Sequence, residues 1–242
     1  MQRYFLKSNE LVLTDEDFHH ATKVMRLAVG DKVELVKQSE EVVVAKATQI
    51  TDSFVDFEYQ LTVESQVELP IAVTIASALS KKDKADWIVQ KGTEMGASGF
   101  IFFNSDFSIA KWDQKKQAKK IERLQKIAKG AAEQSHRTVI PTVAYVNKID
   151  ELFQQSYDIQ IVAYEESAKQ GEISQLKKSF DLIESNQNLI AVFGSEGGIS
   201  EAEINKLSSA GYQKVGLGPR ILRAETAPLY LLASLSFFSE LS

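Results

Sequence analysis

Residues 189–200 read Leu-Ile-Ala-Val-Phe-Gly-Ser-Glu-Gly-Gly-Ile-Ser, an apolar run that leads directly into a turn with three glycines. The apolar run predicts a buried strand, and the glycines would let the backbone approach a ligand closely and offer it free amide groups. In open α/β sheets, ligands bind at such carboxyl ends of strands. A purely structural turn is the alternative, because Ser200 and Glu203 form a plausible capping box for a following helix.

A second glycine-rich turn lies in residues 215–228, which read Val-Gly-Leu-Gly-Pro-Arg-Ile-Leu-Arg-Ala-Glu-Thr-Ala-Pro. Thr226 as the cap and Pro228 in the first turn predict the start of a helix. Arg220 and Arg223 flank an apolar pair, which would suit a wall for a flat aromatic ligand with charged groups beside it, although surface arginines are common. Two such turns in one sheet favour a ligand site.

The spacing of the glycines argues against two familiar nucleotide sites. Residues 194–200 lack the G-x-G-x-x-G spacing of a dinucleotide fingerprint and come late in the chain, and no Gly-Lys-Ser/Thr of a P-loop is present. A nicotinamide-cofactor enzyme is therefore the least favoured class.

The arrangement of predicted elements changes near Glu68-Leu69-Pro70, where we place a boundary between domains 1–69 and 70–242. Before it, one short helix within residues 15–27 and three strands predict a small antiparallel barrel or sheet, the strands being 32–37, 41–50 and 54–62. After it, strands alternate with helices, which predicts an α/β domain. Its predicted strands are 71–79, 100–103, 160–164, 189–193 and 214–217, and its predicted helices are 82–95, 114–136, 201–210 and 228–238.

The composition is that of an ordinary globular protein of 242 residues, 44% of them hydrophobic, without cysteine. The lack of cysteine excludes disulfides, thiolate metal sites and a cysteine nucleophile, and suits a reducing compartment. Three scattered histidines predict no structural metal. No apolar run approaches the roughly 18 residues of a membrane span, so we expect a soluble, cytoplasmic protein.

Charge is distributed unevenly along the chain, whose net charge is −5. Residues 1–69 carry 7 basic and 13 acidic residues, whereas residues 81–137 carry 13 basic and 7 acidic ones. Most of this positive charge lies on one side of the predicted helix 114–136, and a helix that was only solvated would mix glutamate with lysine. The bias favours RNA as a partner.

The end of that helix reads Glu-Gln-Ser-His-Arg over residues 133–137. Glu133 and Arg137 are spaced as a favourable helical ion pair, worth about 0.3 to 0.5 kcal/mol. The same spacing would alternatively place Gln134, His136 and Arg137 beside a substrate.

Three stretches together resemble one known family: Gly194–Gly198, Leu217–Ala227 and Glu133–Arg137. They are similar to the RsmE family of ribosomal RNA uracil-N3 methyltransferases, within the SPOUT superfamily. The amino-terminal part is similar to the PUA-like barrel of that family in Arg3-Tyr4-Phe5, His20 to Arg26 and Gly30-Asp31. The resemblance spans nearly the whole chain, and residues 217–227 are its most specific part.

The resemblance implies an RNA-binding PUA-like β-barrel in residues 1–69 and a SPOUT methyltransferase domain with a deep trefoil knot in residues 70–242. It also implies a homodimer that uses S-adenosylmethionine to methylate N3 of a uridine, family position U1498, in 16S ribosomal RNA of the small ribosomal subunit. Ser195 departs from the family's usual proline, and His136 replaces a commoner small residue.

Carried over position by position, the resemblance implies that the two turns hold the adenosine and methionine parts of S-adenosylmethionine. The implied cofactor-binding residues are Gly194, Ser195, Glu196, Gly197, Gly198, Leu217, Gly218, Ile221, Leu222, Arg223, Thr226 and Ala227.

Methylation at uracil N3 requires the loss of an imide proton, whereas the methyl carbon is already electrophilic and needs mainly alignment. A cation beside O2 or O4 would stabilise the anion, and a carboxylate or water would take the proton. We expect Arg137 and Arg223 to stabilise the anion and Glu133 or Glu225 to accept the proton. RNA contacts are expected at basic residues of both domains, namely Arg3, Lys23, Arg26, Lys81, Lys82, Lys116, Lys120 and Arg123.

Two other functions stay open. A SPOUT enzyme that methylates another RNA nucleotide, such as a ribose 2′-hydroxyl in tRNA, would share the cofactor site without removing an imide proton. A non-enzymatic ribosome-assembly protein that binds RNA would explain the barrel and the basic helix, but it gives no reason for two glycine-rich turns at the ends of strands.

Overall fold

The computed structural model of the chain describes residues 1–81, 83–164 and 175–241. The chain forms two compact units, one of residues 1–68 and 132–139, the other of the described residues within 69–131 and 140–242. The first unit thus includes a short segment that lies far along the chain from its own strands.

The first unit is a curled five-stranded sheet with one short helical segment. Its elements are β1 (Arg3–Phe5), β2 (Val12–Thr14), α1 (Asp15–His19) with a π-helical turn over His20–Val24, β3 (Lys32–Val36), β4 (Val42–Ile50) and β5 (Phe54–Val63). The strand order is β1-β3-β4-β5-β2. The β4–β5 register shifts twice, at Val44/Ala45 and at Ala47/Gln49, and such bulges bend a strand and increase its twist.

The predicted small sheet is confirmed for β3, β4 and β5, whose apolar residues alternate toward a core that includes Leu35, Val43 and Val55. The purely antiparallel arrangement is wrong, because β1 pairs with β3 in parallel. The sequence analysis missed β1 and β2 because three residues are too few to show an alternation.

The second unit alternates strands with helices, as predicted. Its strands are β6 (Ala72–Ala78), β7 (Gly99–Phe103), β8 (Thr142–Val146), β9 (Ile159–Ala163), β10 (Asn188–Phe193) and β11 (Gln213–Val215). Its helices are α2 (Lys84–Glu94), α3 (Gln114–Gln134, of which the last three residues belong to the first unit), a 3₁₀ helix (Ile149–Gln154), α4 (Gln175–Asp181), α5 (Glu201–Ser209) and α6 (Thr226–Glu240). The α/β class predicted for this part of the chain is confirmed, whereas the trefoil knot stays a prediction.

All six strands of the second unit are parallel, in the order β11-β9-β10-β6-β7-β8. Such a sheet needs helices on both faces, and three of its interior strands, β6, β7 and β10, are accordingly buried along most of their length. Phe100 and Phe102 of β7 point into one core with α2, α3 and α6, whereas Ile101 and Phe103 point into the other with α5. Within the described residues, no helix is both long and apolar enough to span a bilayer.

Several element boundaries differ from the prediction for local reasons. The predicted helix 114–136 ends at Gln134, because His136 adopts the left-handed conformation with φ of 56°. Thr226 is not a cap: it is the first helical residue of α6, and Glu225 precedes it. The sequence analysis missed β8, a short strand at the sheet edge, and α4, a short helix rich in polar residues.

A buried polar cluster in the first unit joins the strands to the segment 132–139. Arg3 is 3% exposed, and its Nε donates to Glu34 Oε2 at 2.9 Å while Nη1 donates to the carbonyl oxygens of His136 and Arg137. His136 Nδ1 lies 2.8 Å from Glu34 Oε2. These partners enclose the guanidinium of Arg3 and do not support the prediction that it contacts RNA.

Arg137 is equally enclosed, at 2% exposed, and its Nε donates to Glu68 Oε2 at 3.0 Å. The other Glu68 oxygen accepts from the backbone amides of Thr138 at 2.8 Å and Val139 at 3.2 Å. Burial alone would raise the pKa of Glu68, but Arg137 and the two amides outweigh it and hold the pKa below its usual value. These contacts give Arg137 a structural role and do not support the prediction that it stabilises a uracil anion.

Replacing Arg137 with Met should lower the free energy of unfolding by about 2 to 3 kcal/mol at pH 7, less than for a fully buried pair because Glu68 is partly solvated. Since the folded-state pKa of Glu68 is depressed, its contribution is complete above the ordinary glutamate pKa and is lost as the pH falls through the folded value. The difference in unfolding free energy between the wild type and Arg137→Met should therefore be smaller at pH 3 than at pH 7. Urea unfolding at pH 7 and pH 3 measures both.

Lys7→Met is the matched control, because it removes an ion pair with Asp15 in which both side chains are exposed. It should change the unfolding free energy far less. Equal losses for Arg137→Met and Lys7→Met would contradict the structural role assigned to Arg137.

Candidate functional site

A cavity of about 670 Å³ lies at the carboxyl ends of β9, β10 and β11 in the second unit. This volume is in the range of small-molecule sites. Two chain segments supply most of the lining, residues 193–199 and residues 217–227, and Lys84, Ala163 and Tyr164 complete it. The two glycine-rich turns are thus brought together.

The first turn is packed so tightly that its backbone forms the wall. A Cβ on Gly194 would lie 2.6 Å from the carbonyl carbon of Gly198, so no side chain fits there. Gly198 has φ of 81°, and its amide donates to the Ser195 carbonyl at 2.9 Å. The capping box after the turn is confirmed: Ser200 Oγ accepts from the Glu203 amide, and Glu203 Oε2 accepts from the Ser200 amide.

Ser195 contributes a buried hydroxyl to the lining of the cavity. Its side chain is only 6% exposed, and its Oγ has no hydrogen-bond partner in the part of the chain that the structure describes. A buried hydroxyl without a partner costs about 1 to 3 kcal/mol. A polar ligand group beside Ser195 would remove this cost.

The second turn offers apolar surface and two cations. Ile221 is 76% exposed beside the cavity, and Arg220 and Arg223 line it with exposed side chains. Gly218 turns the chain with φ of 89°. Ile221 and the two arginines thus lie together beside the cavity, and the flat ligand that they would face stays a prediction.

Lys84, which the sequence analysis missed, lines the cavity from the first residue of α2. Its Nζ lies 3.0 Å from Glu196 Oε1 and 2.9 Å from Glu225 Oε2. Burial alone would lower the pKa of Lys84, but the two carboxylates raise it above its usual value. A lysine at the start of a helix, in a polar stretch, has no feature in the sequence that would have identified it.

The ion pair changes the interpretation of Glu225 as a proton acceptor. Burial alone would raise the pKa of Glu225, but Lys84, a backbone hydrogen bond and Arg223 outweigh it and lower the pKa. A carboxylate with a lowered pKa is a weaker base than an ordinary glutamate. The contacts of Glu225 therefore favour a structural role over proton transfer.

The structure places the predicted cofactor-binding residues as follows. All of them line the cavity except Thr226: Gly194, Ser195, Glu196, Gly197, Gly198, Leu217, Gly218, Ile221, Leu222, Arg223 and Ala227. Of the predicted catalytic residues, only Arg223 lines the cavity. Glu225 forms an ion pair with Lys84, which lines the cavity. Glu133 and Arg137 belong to the first unit. Among the described residues, no group of His, Asp or Glu side chains could hold a metal ion.

The predicted RNA-binding residues divide by exposure. Those with exposed side chains are Lys23, Arg26, Lys81, Lys116, Lys120 and Arg123. Lys120 also lies over the Trp112 ring, 5.1 Å from its centroid. Arg123 is bound to Asp86, with Nη1 3.1 Å from Oδ1, so its guanidinium is already engaged. Lys82 lies outside the described residues.

Comparison with known proteins identifies the family. Residues 67–236 match a family model described as an RNA methyltransferase domain, and residues 13–58 match an RNA methyltransferase PUA domain. The ribosomal RNA small subunit methyltransferase E of Bacillus subtilis is 43% identical over all of this chain and 98% of its own length. The chain belongs to the ribosomal RNA small subunit methyltransferase E family. The resemblance to the RsmE family is therefore confirmed.

Solved structures agree with the family. The ribosomal RNA small subunit methyltransferase E from Neisseria gonorrhoeae, bound to S-adenosyl methionine, is 26% identical, with a TM-score of 0.85 over 98% of this chain and 97% of its own. The crystal structure of a hypothetical protein is 38% identical, with a TM-score of 0.90 over 99% of both chains. The two-part α/β fold is thus that of the family.

Replacing Gly194 with Ala should weaken S-adenosylmethionine binding by at least tenfold, because the new methyl group collides with the Gly198 backbone and forces the first turn apart. Gly130→Ala is the matched control, since its Cβ would meet nothing within 4 Å on α3. That control should leave affinity unchanged and add about 0.5 to 1 kcal/mol of stability. Calorimetric titration of both variants measures the effect; unchanged affinity in Gly194→Ala would show that the first turn does not hold the cofactor.

Proposed function

We propose that this protein is an S-adenosylmethionine-dependent methyltransferase that acts on 16S ribosomal RNA of the small ribosomal subunit, at N3 of the uridine at family position U1498. The observation that carries the proposal is the cavity between the two turns, in a chain of this family, with a buried Ser195 hydroxyl that has no partner among the residues that the structure describes. A non-enzymatic assembly protein would have no use for such a cavity.

The residues present fit S-adenosylmethionine. An adenine ring would cover the exposed Ile221 and contact Leu217 and Leu222, while the backbone of the first turn and Ser195 Oγ offer hydrogen bonds to the polar parts. The cofactor, when bound, supplies an electrophilic methyl group.

The chain's own task is then to align uracil N3 and to make its proton easy to lose. We propose that the guanidinium of Arg223 stabilises negative charge on a uracil oxygen, and its exposed position in the cavity lining supports this role. Glu225 forms an ion pair with Lys84, and its lowered pKa makes it a weak base. We therefore propose that the N3 proton is accepted by water or by another group of the assembled complex.

The proposed function is tested by incubating the protein with small ribosomal subunits, or with their protein-free RNA, and labelled S-adenosylmethionine. Mass mapping of the product should find one methyl group on N3 of a single uridine. A methyl group on a ribose 2′-hydroxyl would indicate the alternative SPOUT activity. Absence of both methylation and cofactor binding would favour an assembly protein.

Replacing Arg223 with Met should lower kcat by about 100-fold or more, as removal of one donor to a developing oxyanion does elsewhere. The Kd for S-adenosylmethionine should change by less than tenfold, because the turn itself stays in place. Arg220→Met removes a neighbouring cation of the same cavity and is the control. It should lower kcat less than Arg223→Met does. Equal losses of kcat and of cofactor affinity in Arg223→Met would make Arg223 a binding residue.

We further propose that RNA lies along the exposed lysines of α3. Replacing Lys116 and Lys120 together with Gln should reduce the slope of log K against log salt by about 0.7 to 0.9 for each phosphate that the variant no longer neutralises. Lys206→Gln, on α5, should leave the slope unchanged. An unchanged slope in the double variant would place the RNA elsewhere.

We also propose that the protein works as a homodimer in the cytoplasm, where its ribosomal substrate is found. Support for a dimer comes from exposed apolar side chains at the carboxyl end of the chain, since Phe237 of α6 is 63% exposed and Leu241 is 74% exposed. Large apolar side chains exposed together mark interaction surfaces.

A further inference from the structure

Lys84 belongs to neither glycine-rich turn, yet it is bound to both. Glu196 lies in the turn that follows β10, and Glu225 ends the segment that follows β11 and leads into α6. The Lys84 ammonium lies 3.0 Å from one carboxylate and 2.9 Å from the other. One side chain thus links the segments that follow three different strands, β6, β10 and β11.

The link is reinforced at both ends. The backbone amide of Lys81, just before α2, donates to the same Glu196 oxygen at 3.2 Å, so this carboxylate has one donor from the segment before α2 and one from its first residue. Glu225 directly precedes the first helical residue of α6, and the helix fixes its backbone. A change in the position of Lys84 would therefore move one turn relative to the other.

The alternative is that these contacts are ordinary surface ion pairs, which contribute little to stability. Burial argues against it, because the side chains of Lys84 and Glu225 are only 22% and 19% exposed. Solvent screens such a pair less than it screens the exposed pair of Lys206 and Asp150, whose side chains are 52% and 47% exposed.

We propose that Lys84 is a positioning residue that sets the separation of the two turns and thereby the affinity for S-adenosylmethionine. The inference rests on the proposed function. It assigns Lys84 to cofactor binding and not to the methyl-transfer step. Because the two turns would contact the whole ligand, the loss of Lys84 should weaken the binding of S-adenosylmethionine and of S-adenosylhomocysteine alike.

If Lys84 acted only through its charge, a different result would be expected. Lys84 offsets one of two carboxylates, and its removal would leave the cavity more negative. S-adenosylmethionine carries a sulfonium charge that S-adenosylhomocysteine lacks, so a purely electrostatic role would shift the preference toward S-adenosylmethionine. The ratio of the two Kd values separates the roles.

The test is calorimetric titration of the full-length protein with both ligands, together with kcat at saturating S-adenosylmethionine. Lys84→Met should raise both Kd values at least tenfold, keep their ratio within about twofold and leave kcat within about threefold. Lys84→Arg should restore both Kd values to within about threefold, because a guanidinium can also bridge two carboxylates. Lys206→Met, the matched control, should leave all three quantities unchanged.

Unchanged affinities in Lys84→Met would overturn the inference, and so would a changed ratio of Kd values or a loss confined to kcat. If Lys84→Met does not fold, Glu225→Gln removes one of the two links with little change in shape, and it should weaken both ligands in parallel. Failure of the wild-type protein to bind S-adenosylmethionine would refute the proposed function as well, whereas normal wild-type binding with unaffected variants would refute only the role of Lys84.

Discussion

The parallel pairing of β10 between β6 and β9 is the constraint on which the site depends. The chain builds β6, β7 and β8 outward in one direction and then returns to place the later strands on the other side of β6. Because all six strands are parallel, their carboxyl ends meet at one edge of the sheet. The turn after β10 is thereby set beside the segments that follow β6, β9 and β11, at the point where the strand order reverses, which is where such sheets bind ligands.

Once the ladder fixes the backbone, close packing of the first turn determines what the site can offer. Gly194 has no room for a side chain, and the folded turn buries the Ser195 hydroxyl without giving it a partner among the residues that the structure describes. The turn thus keeps an unfavourable polar group that a ligand would satisfy. Two carboxylates brought into the same edge by the topology would repel each other, and Lys84 between Glu196 and Glu225 offsets that repulsion. The buried Ser195 hydroxyl and the Lys84 ion pairs that offset the repulsion are therefore both consequences of the strand order.

The parts of the site that are continuous in sequence could be predicted, and the parts that depend on strand order could not. A strand followed by glycines identifies the first turn, and residues 217–227 identify the second. Lys84 and Tyr164 complete the cavity from segments that the sequence does not connect to either turn, because a single sequence does not reveal which parallel strands pair. The same limit applies to Arg3 and Arg137: their charge is visible in the sequence, but their partners Glu34 and Glu68 are known only once the first unit is folded.

Pairing also changes what the charge of residues 81–137 means for RNA. The segment has an excess of basic residues, but Arg137 is bound to Glu68 and Lys84 to Glu196 and Glu225, and all three of these carboxylates lie outside the counted segment. Within the segment, Arg123 is bound to Asp86. Basic side chains held in this way release few counterions on RNA binding, because their charge is already matched. The affinity of the second unit for a phosphate backbone should therefore come from its exposed lysines, the largest group of which lies on α3, a smaller surface than the count of charges suggests.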